Sequence, residues 1–415
     1  MNVLVLAGSV AHTEAGAAHA ALDLANTLAQ NGALQVHLFT HGFDRVSVAP
    51  SIKILQYPPP RSVRALWRVH NVYEVTQAKR ALGRYDFSHI DLCYTPSIVL
   101  ALAFRQLYPR VPLVSHWGAV LTKREHLEET NGSGSWFARL DALLAERLER
   151  ASYQGARWCH LASTPLVASY REEYFKLTRG FFHICPYGIS QEKFNREGTY
   201  REVREAHGVP DSAVVLVTVS RLVRWKNTEL ILRAFRRCTS RNAFLFVVGD
   251  GEERERLTAL AASLGIAERT RFVGHRADPA PFYGASDIFV LPSLIESFGV
   301  VYAEAMFMGL PCIGMRYDPP SVLSAASDVI VDGETGYCVS TLEELAERLE
   351  LLIDNESLRM TMGRNAVQVA RERYSCERYA MYILSLARRE FGVETGIEPS
   401  APLRPVAGAA VLLSR

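Results

Sequence analysis

The chain starts the same pattern twice. Val3–Ala7 and Ala213–Val219 are unbroken apolar runs, and each is followed by a loop and then an amphipathic helix, Ala17–Asn31 in the first case and Thr228–Arg237 in the second. An apolar run without polar alternation marks a strand buried on both faces, which occurs in parallel sheets covered by helices. Further strands are expected at Val36–Phe39, Leu92–Tyr94, Pro112–Ser115, Trp158–Leu161 and Phe181–Cys185, and after the restart at Phe244–Val248, Arg271–Val273 and Asp287–Leu291. A helix is expected at Glu253–Leu264 and a helical segment over Leu342–Arg373. The polar stretch Gln191–Asp211, with Gly198, Gly208 and Pro210, separates the two beginnings. The resulting division is 1–190 and 191–376 as two doubly wound α/β domains, 377–392 as a final helix and 393–415 as a Pro-, Gly- and Ala-rich tail. Two such domains facing each other leave a cleft at the strand C-termini, where folds of this kind bind ligands.

Bulk properties narrow the class by exclusion. A net charge of +2 rules out neither nucleic acid nor membrane and argues for neither; no nucleic-acid partner is expected. The seven cysteines contain no C-x-x-C pair, so their spacing suggests neither a disulfide framework nor a zinc site, and a reducing cytoplasm is expected. The N-terminus runs straight into a strand without the pattern of a secretion signal, and no apolar run approaches the roughly 20 residues of a membrane span.

The richest segment for chemistry is Leu291-Pro-Ser-Leu-Ile-Glu-Ser-Phe-Gly-Val-Val-Tyr-Ala-Glu304. It follows a buried strand, carries Glu296 on a turn and Glu304 on the helix that opens there. Ser297 reads as the helix N-cap, and Gly299 as a place where another molecule approaches the backbone. Free amides at a helix start attract phosphate, whereas carboxylates accept hydrogen bonds from hydroxyls. The combination suggests a ligand that is part phosphate and part sugar. Arg221 and Lys226 lie just past the strand Ala213–Val219. They read either as two solvated cations or as a clamp on a diphosphate; their position relative to the Glu296 loop favours the clamp.

Other signals are weaker taken singly. Gly251 ends the strand–turn Val247–Gly251, and His275-Arg276 follow the strand Arg271–Val273 as a loop that a nucleobase edge could meet; both also read as plain turns. The loop Gly8–Gly16 lacks the G-x-G-x-x-G fingerprint, which counts against a nicotinamide or flavin enzyme, though Gly16 can still bring an amide near a phosphate. His116 closes a strand and is read as aimed at the cleft. The segment 61–84 carries six cations and one acid; it reads as a solvated helix or as a basic face for peripheral membrane contact. There is no D-x-D pair to hold a catalytic metal, so Arg221, Lys226 and helix amides stand in for one and no metal is expected.

Taken in order, Ser220-Arg-Leu-Val-Arg-Trp-Lys226, Val248-Gly-Asp-Gly251, Phe272-Val-Gly274, Glu296 and Glu304 eight residues apart, Pro311-Cys-Ile-Gly314 and Asp332-Gly-Glu-Thr-Gly336 resemble the retaining glycosyltransferases of family 4. That resemblance implies the GT-B fold, two Rossmann-like domains facing across a cleft, with the final helix crossing back to the first. It implies transfer of a hexosyl unit, without metal, from a nucleotide diphosphate sugar, UDP-linked by family frequency, to a glycan, lipid-linked or small-molecule acceptor. Glu296 would bind donor hydroxyls and Glu304 the ribose; the amides of Ser297, Phe298, Gly299 and Val300 would contact sugar and diphosphate. Arg221 and Lys226 would hold the diphosphate, with Gly16 approaching it, His275-Arg276 holding the base and His116 near the reacting carbon. The chain departs from the family pattern at Ala17 after Gly16, at Tyr187 before Gly188 and at Asn227 after Lys226. Rival readings are a non-hydrolysing nucleotide-sugar epimerase and a non-catalytic sugar- or nucleotide-binding protein of the same fold.

Overall fold

A computed structural model describes residues 1–9, 16–42, 48–57, 70–118, 136–153, 157–194, 200–240 and 242–395. Residues 61–69 of the basic segment 61–84, residues 119–135, residues 10–15 and the tail beyond 395 therefore lie outside the described residues, whereas 70–84 of the basic segment are described and hold a helix, His70–Leu82. The described residues divide into two units, 1–188 with 376–395, and 189–375.

The first unit contains β1 (Asn2–Ser9), α1 (Gly16–Ala29), β2 (Gln35–Gly42), β3 (Lys53–Gln56), α2 (His70–Leu82), β4 (Leu92–Thr95), α3 (Ile98–Leu107), β5 (Leu113–Trp117), α4 (Trp136–Ser152), β6 (Trp158–Ala162), α5 (Pro165–Phe175) and β7 (His183–Ile184). Its sheet runs β3-β2-β1-β4-β5-β6-β7, parallel throughout. Sealed strands explain the apolar runs: Val3–Leu6 and Leu113–Val114 are fully buried. The helix starts follow local chemistry. Ser97 accepts from the Leu100 amide to cap α3, and Thr164 accepts from Val167 with Pro165 in the first turn of α5.

The second unit contains α6 (Arg201–Ala206), β8 (Val214–Val219), α7 (Thr228–Arg237), β9 (Ala243–Val248), α8 (Arg254–Ser263), β10 (Thr270–Gly274), α9 (Ala280–Gly284), β11 (Ile288–Leu291), β12 (Ile295–Glu296), α10 (Val300–Phe307), β13 (Cys312–Met315), β14 (Leu323–Ser324), α11 (Ala326–Val329), β15 (Gly336–Val339), α12 (Leu342–Asp354) and α13 (Glu356–Tyr374). The main sheet is β10-β9-β8-β11-β13-β15, again parallel, and β12 and β14 form a small parallel pair. The expected helical segment Leu342–Arg373 is two helices. Asn355 ends α12, and its side chain accepts from the Leu358 amide to start α13. A last helix, α14 (Cys376–Phe391), belongs to the first unit. Gly188 permits this packing, because a Cβ there would come within 2.6 Å of Tyr379 Cβ and 2.9 Å of Cys376 Cα. Among the described residues, no helix is long and apolar enough to cross a membrane.

Candidate functional site

Within the second sheet β8 and β11 are neighbours, but the chain leaves β8 toward β9 and β11 toward β13. The connections part at this switch point and leave a crevice at the strand ends, the place where such sheets bind ligands. Both groups of charged residues singled out in the sequence follow these two strands.

Past β8, the backbone is zipped to the turn after β9. Ser220 N donates to Val248 O at 3.0 Å and Leu222 N to Asp250 O at 2.9 Å. A Cβ on Gly251 would sit 2.4 Å from the Leu222 carbonyl oxygen, so this glycine is required by the fold itself. Leu222, 1% exposed, anchors the loop in the core. A single 3₁₀ turn, Arg224–Lys226, follows, and Asn227 at φ 56° leads into α7. Lys226 thus stands on the turn before the helix. Asn227 takes the left-handed conformation, which a short polar side chain tolerates nearly as well as glycine.

Past β11 the chain is tied to that same turn. Leu294 N donates to Trp225 O at 2.8 Å, Leu323 N to Leu294 O at 2.7 Å and Ala325 N to Glu296 O at 2.8 Å. These backbone bonds bring Glu296 beside Lys226, and Lys226 Nζ lies 2.5 Å from Glu296 Oε2 with the two side chains 17% and 11% exposed. The N-cap position of α10 is Gly299, at φ 69°, and no side chain caps it. The reading of Ser297 as N-cap is corrected: the left-handed turn ends two residues later. Gly299 is needed for its φ and for space, since a Cβ would meet the Tyr302 ring at 2.6 Å and Glu296 Cγ at 3.1 Å. Phe298 is buried edge-on against Tyr374, at 5.4 Å between centroids, which holds the turn down from beneath.

Glu304 lies on α10 and accepts a 2.8 Å hydrogen bond from Tyr283 Oη. Tyr283, on α9, is fully buried, and burial pushes its phenol well above the usual range, so it remains a donor. Tyr302 on the same helix donates to the Leu291 carbonyl at the end of β11. Sequence reasoning missed both tyrosines and Trp225, because nothing in their spacing marks them apart from core residues. Arg221 is exposed, its guanidinium 5.8 Å over the Trp225 ring. His275 and Arg276 are exposed at the end of β10 after Gly274 at φ 76°, with the Arg276 guanidinium 5.8 Å from the Phe282 ring. No hydrogen bond among the described residues joins them to Lys226 or Glu296.

In the first unit, Gly16 is the first residue of α1. His116 departs from its reading as a cleft-facing group. It is 2% exposed; its Nδ1 lies 2.6 Å from Tyr379 Oη, which in turn lies 2.5 Å from Tyr94 Oη. Its ring stacks on Tyr187, with centroids 4.0 Å apart and planes at 18°. Burial lowers its pKa to about 3, so the ring is neutral at working pH.

At the ends of β8 and β11 the second unit thus joins one ammonium and one carboxylate, with Arg221 following β8 and Glu304 on the helix that follows β11. Such a set can take a phosphate and a polyhydroxylated group at once.

Comparison with known proteins agrees with this chemistry. Residues 199–369 match the family described as Glycosyl transferases group 1. The chain is 31% identical over 188 residues to N-acetyl-alpha-D-glucosaminyl L-malate synthase of Bacillus anthracis, covering 45% of this chain and 47% of that protein. The chain spans about half the length of the curated relatives it matches. Among solved structures, sucrose-phosphate synthase from Thermosynechococcus elongatus superimposes with a TM-score of 0.74 at 20% identity, covering 95% of this chain and 100% of that one. Anabaena HepE, solved with UDP and glucose, gives 0.67 at 19% identity, over 92% and 98%. These likenesses show the GT-B fold. The likeness to the Glycosyl transferases group 1 family runs through residues 199–369, most of the second unit.

Proposed function

We propose that this protein is a retaining glycosyltransferase that moves a hexosyl unit from a nucleotide diphosphate sugar to a hydroxyl of a glycan, lipid-linked or small-molecule acceptor. The observation that carries the reading is the Lys226–Glu296 pair, 2.5 Å apart at the β8/β11 switch of the family-matched unit. The two groups satisfy each other in the free protein. A sugar diphosphate would part them: phosphate oxygens take the ammonium and sugar hydroxyls take the carboxylate. Glu304, oriented by Tyr283, would accept from ribose hydroxyls. Amides at the start of α10 and Arg221 would complete the diphosphate cradle, and His275-Arg276 would border the base. HepE binds UDP, which supports a uridine nucleotide here.

In the proposed reaction the bond from the anomeric carbon to the diphosphate oxygen breaks. The acceptor oxygen bonds to that carbon on the same face, and its proton passes to the departing diphosphate. Configuration is retained without a protein nucleophile. Negative charge grows where Lys226, Arg221 and the α10 amides are already fixed, which is where preorganised electrostatics lower a barrier most. These cations make a bound metal unnecessary for the transfer. His116, neutral and held by Tyr379, would serve as a fixed polar group and would not shuttle a proton. The seven buried free cysteines support a cytoplasmic setting, and segment 61–84 would supply any contact with the membrane face.

A thermal-shift screen of nucleotide diphosphates and their sugars, followed by NMR of the product anomer, tests this. Stabilisation by a uridine diphosphate sugar and a product of retained configuration are expected. Inverted product, or an epimer formed from the donor alone, would overturn the reading, as would no response to any nucleotide sugar.

A further inference from the structure

We propose that Cys159, His183 and Glu390 form a site for one divalent transition-metal ion, zinc(II) by chemical fit, which staples the end of α14 to the edge of the first sheet. The proposal stands apart from the transfer reading, and its readouts are binding and spectroscopic.

Three segments far apart in sequence meet there. Cys159 is the second residue of β6, His183 the first of β7 and Glu390 the penultimate residue of α14. Parallel pairing sets Leu161 opposite His183, and Cys159 lies two residues before Leu161, so the thiol and the imidazole share one face of the sheet. The end of α14 adds the carboxylate. One ligand atom from each residue, a sulfur, a ring nitrogen and a carboxylate oxygen, lies within 4.8 Å of the other two. Ligands around a tetrahedral zinc stand roughly 3.3–3.8 Å apart, so the three need draw in by only about 1 Å. No other group of three such donors converges among the described residues.

The donor set has the right character. Thiolate with imidazole selects zinc over magnesium or calcium. A thiolate and a carboxylate carry two negative charges, which a divalent ion cancels while a neutral imidazole completes the set. Among the described residues, the charged neighbours of both Cys159 and His183 are Glu390 and Arg389. Glu390 accepts from Arg389 Nε at 2.8 Å through Oε1, which leaves its other oxygen for the metal. Three protein ligands leave the fourth position to water. On binding, the Cys159 S–H bond breaks, the sulfur bonds to the metal and the proton passes to the buffer.

The test uses the full chain stripped with a chelator and titrated with zinc chloride, then separately with cobalt(II) chloride. One equivalent of zinc is expected to bind and raise Tm, whereas magnesium does neither. Cobalt is expected to give a thiolate-to-metal charge-transfer band in the near ultraviolet. Cys159→Ser should remove that band, and Glu390→Gln, an exposed change that leaves the fold alone, should weaken zinc binding at least about tenfold. Zinc binding that Cys159→Ser and Glu390→Gln leave unchanged would overturn the proposal, and so would absence of binding by the wild-type chain.

Discussion

Lys226–Glu296 and His116–Tyr379 are both contacts between residues distant in sequence, and they answer opposite needs. The first pair sits at a strand-end crevice, with side chains 17% and 11% exposed. The second is sealed, with His116 at 2% and Tyr379 at 3%. An ion pair at the rim loses little when a ligand replaces each partner, because phosphate and hydroxyls supply equivalent bonds. A sealed histidine–tyrosine–tyrosine chain has no such replacement, and opening it leaves buried polar groups without partners. The first contact is thus built to be exchanged and the second to hold α14 in place. Polar side chains divide into these two kinds only when burial is known.

The comparison can be broken most directly at Glu296. Glu296→Ala should lower kcat/KM about 10³-fold or more while circular dichroism and Tm stay near wild type, since the loss falls on the transition state. Full activity at saturating donor removes Glu296 from the site. Lys226→Ala should cost about 10²-fold in kcat/KM, with donor KM raised and kcat lowered; an unchanged kcat/KM takes this lysine out of the clamp.

Acid probes the sealed side. His116 and His160 are both held near pKa about 3 by burial, against 6.5 when unfolded. The unfolded chain therefore binds more protons between those values, and stability falls as pH drops below about 6.5. At pH 5 each histidine should contribute about 2 kcal/mol of lost stability. The slope of stability against pH, from urea titrations, should shrink in His116→Gln; an unaltered slope contradicts the burial of this ring. The smallest single contribution is expected from the Tyr187 stack on His116, whose loss in Tyr187→Asn should cost about 0.5–1.5 kcal/mol on top of the several kcal/mol of lost burial. A Tm unchanged by that substitution means that the stack contributes nothing to the sealed network.

The sequence was most legible where a signal is local. The buried strands β1, β8 and β11 are readable because parallel pairing under helices demands unbroken apolar residues. The pairing of Glu296 and Glu304 is readable because turn, helix and carboxylates follow within one segment. Reading failed where the partner is remote. Ser297 has the chemistry of an N-cap, but the φ of Gly299 decided where α10 begins. β7 is two residues long and draws its identity from pairing with β6, so its expected extent over Phe181–Cys185 was too great. Tyr379 and Tyr94 show no periodicity that links them to His116. The donors Cys159, His183 and Glu390 have no ligand spacing at all.

By itself, the amino-acid order determined two parallel α/β sheets and the likeness of residues 199–369 to one family, because hydrophobic runs, glycines at tight approaches and a contiguous carboxylate turn are properties of short segments. Tertiary structure alone decided which charges meet. It set Lys226 against Glu296 through backbone bonds from Leu294 to Trp225, and it sealed His116 beneath Tyr187 and Tyr379. The physical reason is that electrostatic and hydrogen-bond energies depend on distance and burial, and chain order fixes neither for residues tens to hundreds of positions apart.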